Sequence, residues 1–143
     1  MRQTGVVPAS VRLEFTGSVG VHEAEATIAT LQALKALGVK LAQLDSLGLA
    51  DLGVYFDDMK GDLPVLAQRQ VEIIHWIAER TRASRLIVCP SYYTDDPVLD
   101  RVFGQRPPNY LEDLGRDLDP AIQLMWTGEE VCAREFSPGH LAR

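Results

Sequence analysis

Three short apolar runs, separated by helical stretches, constrain this chain more than any other feature. They are Leu52 to Phe56 (LGVYF), Arg85 to Cys89 (RLIVC) and Ile122 to Trp126 (IQLMW). Each is mostly apolar rather than alternating, which is the pattern of a parallel strand covered on both faces. Between them, residues 64–81 set Leu66, Ile73, Ile74 and Ile77 along one helical stripe, with Pro64 suited to the first turn. Residues 109–117 form a shorter helical pattern with Asn109 as its N-cap. From His22 to Leu47 the chain is Ala/Leu-rich and helical by propensity, with Gly38 expected to break it in two. A further strand is expected near Val11 to Phe15. This alternation implies an α/β fold with parallel strands and right-handed crossovers.

In such folds the chemistry gathers at the C-terminal ends of the strands. The segments DDMKGD, PSYYTDDPVLDRVFGQRPP and TGEEV follow the three runs, so they should share one rim. The second is a long loop, and long loops inside compact domains are often functional. The first opens on two adjacent acids, Asp57 and Asp58. Brought together, two carboxylates raise the pKa of one of them and make a proton donor usable near neutrality. A solvated strand end or a helix cap is the ordinary alternative. Adjacent acids do not easily flank a sugar in the way that the two carboxylates of most glycosidases do. They fit better where the substrate supplies its own nucleophile.

Tyr92 and Tyr93 follow Cys89, Pro90 and Ser91; either ring could donate to a sugar or simply pack the loop. Trp126 could stack on a sugar face or fill the rim of the sheet, and Thr127 and Gly128 could simply make the turn. His75 lies within a helix and reads as structural, Asp95 and Asp96 precede Pro97 and read as a turn or helix start, and Glu129 and Glu130 read as solvated. His22 and His140 have no partners at metal-ligand spacing. No metal or cofactor is expected.

The 143 residues suit one domain. A net charge of −6 argues against nucleic acid or an anionic membrane surface as partner, since both require a basic patch. No apolar run approaches the ~20 residues of a membrane span. The start of the chain lacks a basic stretch followed by an apolar core. The expectation is a cytoplasmic protein in which Cys89 and Cys132 stay free thiols.

The segments FDDMKGDLPVLAQRQ, LIVCPSYYTDD and YLEDLGRDLDPAIQLMWTGEEV together resemble the catalytic barrel of glycoside hydrolase family 84. These are β-N-acetylglucosaminidases, including protein O-GlcNAcases and enzymes often labelled hyaluronidase. The resemblance runs from about Lys40 to the C-terminus. It implies a partial (β/α)8 TIM barrel of three to four βα units over residues 40–143, behind a divergent, mostly helical segment over 1–39. It also implies a retaining mechanism in which the 2-acetamido oxygen of the substrate attacks the anomeric carbon. By position, Asp57 would orient that group and Asp58 would be the general acid and then the general base. Tyr93 and Cys89 match residues of the sugar pocket, and Thr127 and Val131, beside Trp126, fall where the family lines the acetamido pocket or the sugar edge. The implied partner is a glycan or glycoprotein containing N-acetylglucosamine.

The chain also departs from the family pattern. A full barrel takes about 250 residues. Nothing before Lys40 resembles the family's glycine-rich strand and pocket Lys, and its Trp-Asp-Asn segment does not occur. The alternative expectation is therefore a non-catalytic fragment or interaction module, self-associating through open sheet edges. A metal-dependent hydrolase built on the acid pair is a weaker option, which chelator sensitivity would reveal.

Overall fold

Four parallel strands lie side by side in chain order, β1-β2-β3-β4. The computed structural model describes residues 10–14, 36–56, 61, 63, 65–135 and 138. Strand β1 is Ser10–Glu14, β2 Asp51–Tyr55, β3 Arg85–Cys89 and β4 Gln123–Leu124. Helix α1 covers residues 36–45 between β1 and β2. Helix α2 is Leu66–Ala78, α3 Val98–Phe103 and α4 Tyr110–Asp117.

Sequential parallel order with right-handed crossovers carries every connecting helix to the same side of the sheet. The packing agrees. Leu37 and Leu41 of α1, and Ile74 and Ile77 of α2, form one buried cluster with Leu52, Val54, Phe56, Leu86 and Val88 of the strands. Side chains of this size each contribute about 1.5–3 kcal/mol when fully buried. A second cluster joins Leu66, Ala67 and Val71 of α2 to Tyr92, Leu99, Tyr110 and Leu114. Helix α2 thus faces the sheet with one part of its apolar stripe and the loop after β3 with the other.

The two faces of the sheet differ, whereas the apolar runs suggested equal cover. Along β2, Leu52 and Val54 are buried, while Asp51, Gly53 and Tyr55 are half-buried. That second face carries the Arg85–Asp51 ion pair at 2.6 Å and the Arg12 guanidinium 4.8 Å from the centre of the Tyr55 ring.

Helix α1 runs unbroken through Gly38, contrary to the break expected there. A mid-helix glycine costs only about 1 kcal/mol against alanine, and this one lies against Trp76, whose Cη2 would be 3.6 Å from an added Cβ. The helix ends at residue 45, and the turn after it closes on Gly48, whose φ of 68° suits glycine. Asn109 does hold the N-cap position of α4, but its side chain caps nothing. Its left-handed φ of 58° departs from the extended geometry that aims a capping oxygen at the helix. The Pro90 to Pro108 segment contains α3 and is not all loop. The third apolar run ladders only over Gln123–Leu124; among the described residues β4 has one neighbour, and the chain then turns toward the loop after β3.

Candidate active site

The carboxyl ends of β2, β3 and β4 form one rim, joined by backbone hydrogen bonds. The N–H of Phe56, just past β2, donates to the Cys89 carbonyl (2.9 Å), and Met125 N–H donates to the Val88 carbonyl (2.7 Å). Beyond the strands, Thr127 N–H donates to the Tyr93 carbonyl (2.9 Å). Asp57 and Asp58 lie outside the described residues; in sequence they follow directly on Phe56.

The residues on either side of the acid segment are firmly held. Before it, the Phe56 carbonyl accepts from the buried Ser91 hydroxyl (2.7 Å), which in turn accepts from Gln70 Nε2 (2.8 Å). The other amide atom of Gln70, Oε1, accepts from the Tyr110 hydroxyl. Burial pushes the Tyr110 phenol above its ordinary range, against the opposing effect of hydrogen bonds from the Ser91 and Tyr92 backbone, so it remains a donor. After the acid segment, Gly61 N–H donates to the Phe103 carbonyl (2.9 Å), and Gly61 sits against the Tyr92 ring.

Tyr92 is the centre of the loop after β3. It is fully buried and meets Phe103 and Tyr110 edge-on, at ring-centre distances of 6.4 and 5.2 Å. Its hydroxyl donates to the Gly104 carbonyl (2.7 Å). The Arg106 guanidinium lies over the ring, 4.9 Å from its centre, and donates to the Thr94 carbonyl (2.9 Å).

Of the sequence-predicted site residues, the structure brings Tyr93, Thr127 and Val131 close together. Tyr93 and Val131 are half-buried against the Tyr92 cluster. Thr127 Oγ1 donates to the Glu130 carbonyl (3.1 Å), and Val131 N–H reaches the Asp96 carboxylate (3.4 Å). Thr94 Oγ1 donates to the Gly128 carbonyl (2.6 Å), fastening the β4 turn to the β3 loop. Cys89 is buried at the end of β3, in register with Tyr55 of β2. Trp126 is half-buried between the β4 edge and the Thr127 turn.

The readings of residues outside the site fare well. His75 accepts the Asp119 N–H at Nε2 (3.1 Å), a structural contact. The Asp96 carboxylate accepts the Val98 N–H (2.8 Å) and so starts α3. Glu129 and Glu130 are exposed. Gln70, Ser91, Gly61, Tyr110 and Arg106 were not singled out from the sequence. Gln70 had a signal, since it is a polar residue on the apolar stripe between Leu66 and Ile74. Among the described residues no three His, Cys, Asp or Glu side chains are grouped to hold a metal ion, and no helix is long and apolar enough to cross a membrane.

The model of the beta-N-acetylglucosaminidase family matches residues 11–143. The chain belongs to that family. Solved structures agree on the fold. CpGH84D is 20% identical with a TM-score of 0.60, over 93% of this chain, and CpGH84B is 20% identical with a TM-score of 0.60, over 87%. Both names carry the family 84 designation that the three sequence motifs suggested. The chain spans only 21% of the length of either protein.

Proposed function

We propose that this chain is a portion of a retaining β-N-acetylglucosaminidase that carries its acid pair. In this reading the four-stranded sheet is a stretch of a (β/α)8 barrel. The observation that carries the reading is the family match together with the single rim formed by the carboxyl ends of β2, β3 and β4.

The proposed chemistry is substrate-assisted. Asp57 accepts a hydrogen bond from the acetamido N–H and aims the acetamido oxygen at the anomeric carbon. As that oxygen forms its bond, the glycosidic C–O bond breaks and Asp58 gives its proton to the leaving oxygen. The product is an oxazolinium ion, whose N–H stays hydrogen-bonded to Asp57. Asp58, now a carboxylate, takes a proton from water, whose oxygen opens the oxazolinium ring at the anomeric carbon, returns the neutral acetamido group and restores the original configuration. Tyr93 and Cys89 line the pocket near the reacting centre, with Thr127, Val131 and Trp126 along its acetamido side and sugar edge. Two acids on one strand end suffice, because only one of them transfers a proton. The substrate class is a glycan or glycoprotein bearing N-acetylglucosamine.

The deciding experiment is hydrolysis of an aryl N-acetyl-β-D-glucosaminide by the purified chain, beside Asp57→Asn and Asp58→Asn. The expected result is turnover by the parent that both substitutions abolish. Turnover that survives Asp58→Asn would sink the reading.

One observation favours a second reading, a non-catalytic fragment or interaction module: the chain spans 21% of CpGH84D. In this reading β1 and β4, each paired on one side only among the described residues, recruit further strands and the chain self-associates. Sedimentation velocity tests it. A folded monomer at all concentrations would count against it.

A further inference from the structure

We propose that Thr94 is a positioning residue for the acetamido side of the sugar pocket; this rests on the hydrolase reading above. Thr94 lies in the loop after β3 and is fully buried. Burying a hydroxyl is costly unless it finds partners, and a valine of the same shape would carry no such cost. Here the hydroxyl is used twice. It donates to the Gly128 carbonyl (2.6 Å), in the turn after β4, and accepts the Asp96 N–H (3.3 Å) within its own loop. The Thr94 carbonyl is held as well, by the Arg106 guanidinium (2.9 Å).

The links between the two segments run in step along both. Thr127 N–H donates to the Tyr93 carbonyl (2.9 Å), Thr94 Oγ1 donates to the Gly128 carbonyl, and Val131 N–H reaches the Asp96 carboxylate (3.4 Å). Tyr93, Thr127 and Val131, the residues proposed to line this side of the pocket, are ends of the outer links. The Thr94 bond lies between those links and is the shortest of the series. Without its hydroxyl the Gly128 carbonyl would be left to the longer bond from the Asp95 N–H (3.3 Å). A bond needed only for cohesion would leave the choice of substrate unchanged. A bond that sets the spacing between Tyr93 and the Thr127 turn must change it, because a displacement of about 1 Å is enough to cost about a hundredfold in rate.

The test compares two aryl β-D-glucosaminides, one N-acetylated and one N-butanoylated, as substrates of the full chain and of Thr94→Val and Thr94→Ser. Thr94→Val keeps the shape and loses the hydroxyl. It should lower the preference for the acetyl substrate, as a ratio of kcat/KM values, about tenfold, and Thr94→Ser should restore it. Hydrogen exchange at the Thr127 amide reports the link between the loops directly. It should quicken about tenfold in Thr94→Val and stay at the parent rate in Thr94→Ser. A folded Thr94→Val chain that keeps either the selectivity or the Thr127 exchange of an active parent would overturn the proposal and leave the hydrolase reading standing. A parent without turnover would overturn the hydrolase reading, and this proposal with it. Should Thr94→Val fail to fold, Thr94→Cys, a weaker donor of similar size, decides by the same two readouts.

Discussion

A Cβ on Gly61 would stand 1.8 Å from the Tyr92 hydroxyl oxygen and 2.3 Å from its Cζ. The glycine is required by close approach: its backbone occupies the space a side chain would need. Tyr92 has little room to yield, being held edge-on by Phe103 and Tyr110 and tied to Gly104. Gly61, which follows the acid segment in sequence, is thus packed onto the centre of the next loop.

Gly61→Ala should therefore destabilise the chain by about 1–3 kcal/mol, the range for overpacking a closed site. Urea unfolding followed by circular dichroism measures it. An unchanged midpoint would mean that the Tyr92 ring swings aside at little cost.

Arg106 should matter more for its shape than for its charge. It covers Tyr92, donates to the Thr94 carbonyl and stands 3.6 Å from the Asp95 carboxylate. A planar, forked guanidinium can do all three at once and an ammonium cannot. Both Arg106→Leu and Arg106→Lys should cost about 1–3 kcal/mol. In hydrogen exchange, the Val98 amide should lose protection as α3 loosens. A lysine variant as stable as the parent would show that charge alone suffices.

The Asp51–Arg85 pair gives the sheet a pH dependence of known sign. The hydrogen bond from Arg85 holds the Asp51 carboxyl below its usual value, against a smaller opposing effect of burial. A depressed folded pKa adds stability that is complete above the unfolded value of about 3.9 and fades as pH falls through the folded one. Asp51→Asn should lower the urea midpoint slightly at pH 7, and the two midpoints should converge as the pH falls below the unfolded value. A gap that widens in acid would contradict the assignment.

The two thiols should separate cleanly in a labelling experiment. Cys132 is exposed and Cys89 is buried. A thiol reagent added to the native chain should react quickly with one equivalent, and the second should react only after denaturation. Cys132→Ser should abolish the fast phase. A fast phase that persists would place Cys89 in reach of solvent.

The strands and helices were legible because each carries a strong local pattern. LGVYF and RLIVC could hardly be anything but buried strands, and the stripe of α2 held within two or three residues at each end. The failures share one cause. Gly38, Asn109 and the third apolar run were judged by local preference, and tertiary contacts prevailed: Trp76 against the glycine, a left-handed backbone at the asparagine, an edge position for the strand. In the candidate site, the residues proposed to touch chemistry were named through the motifs that carry them. The residues behind them were not, because Gln70, Ser91 and Tyr110 are distant in sequence and meet only when two helices and a loop fold over one strand end.

Strand order carries a last consequence, for the making of the protein. In a sheet laid out β1-β2-β3-β4, each strand needs only the one synthesised just before it. Each pairing still joins residues 34 to 41 positions apart, and parallel pairings of that span are slow to form. The sheet can nonetheless be assembled in the order the ribosome delivers it, each helix closing over a strand pair already in place. A translational pause after β3 would leave a growing edge waiting for one more strand, and no earlier pairing would have to be undone to receive it.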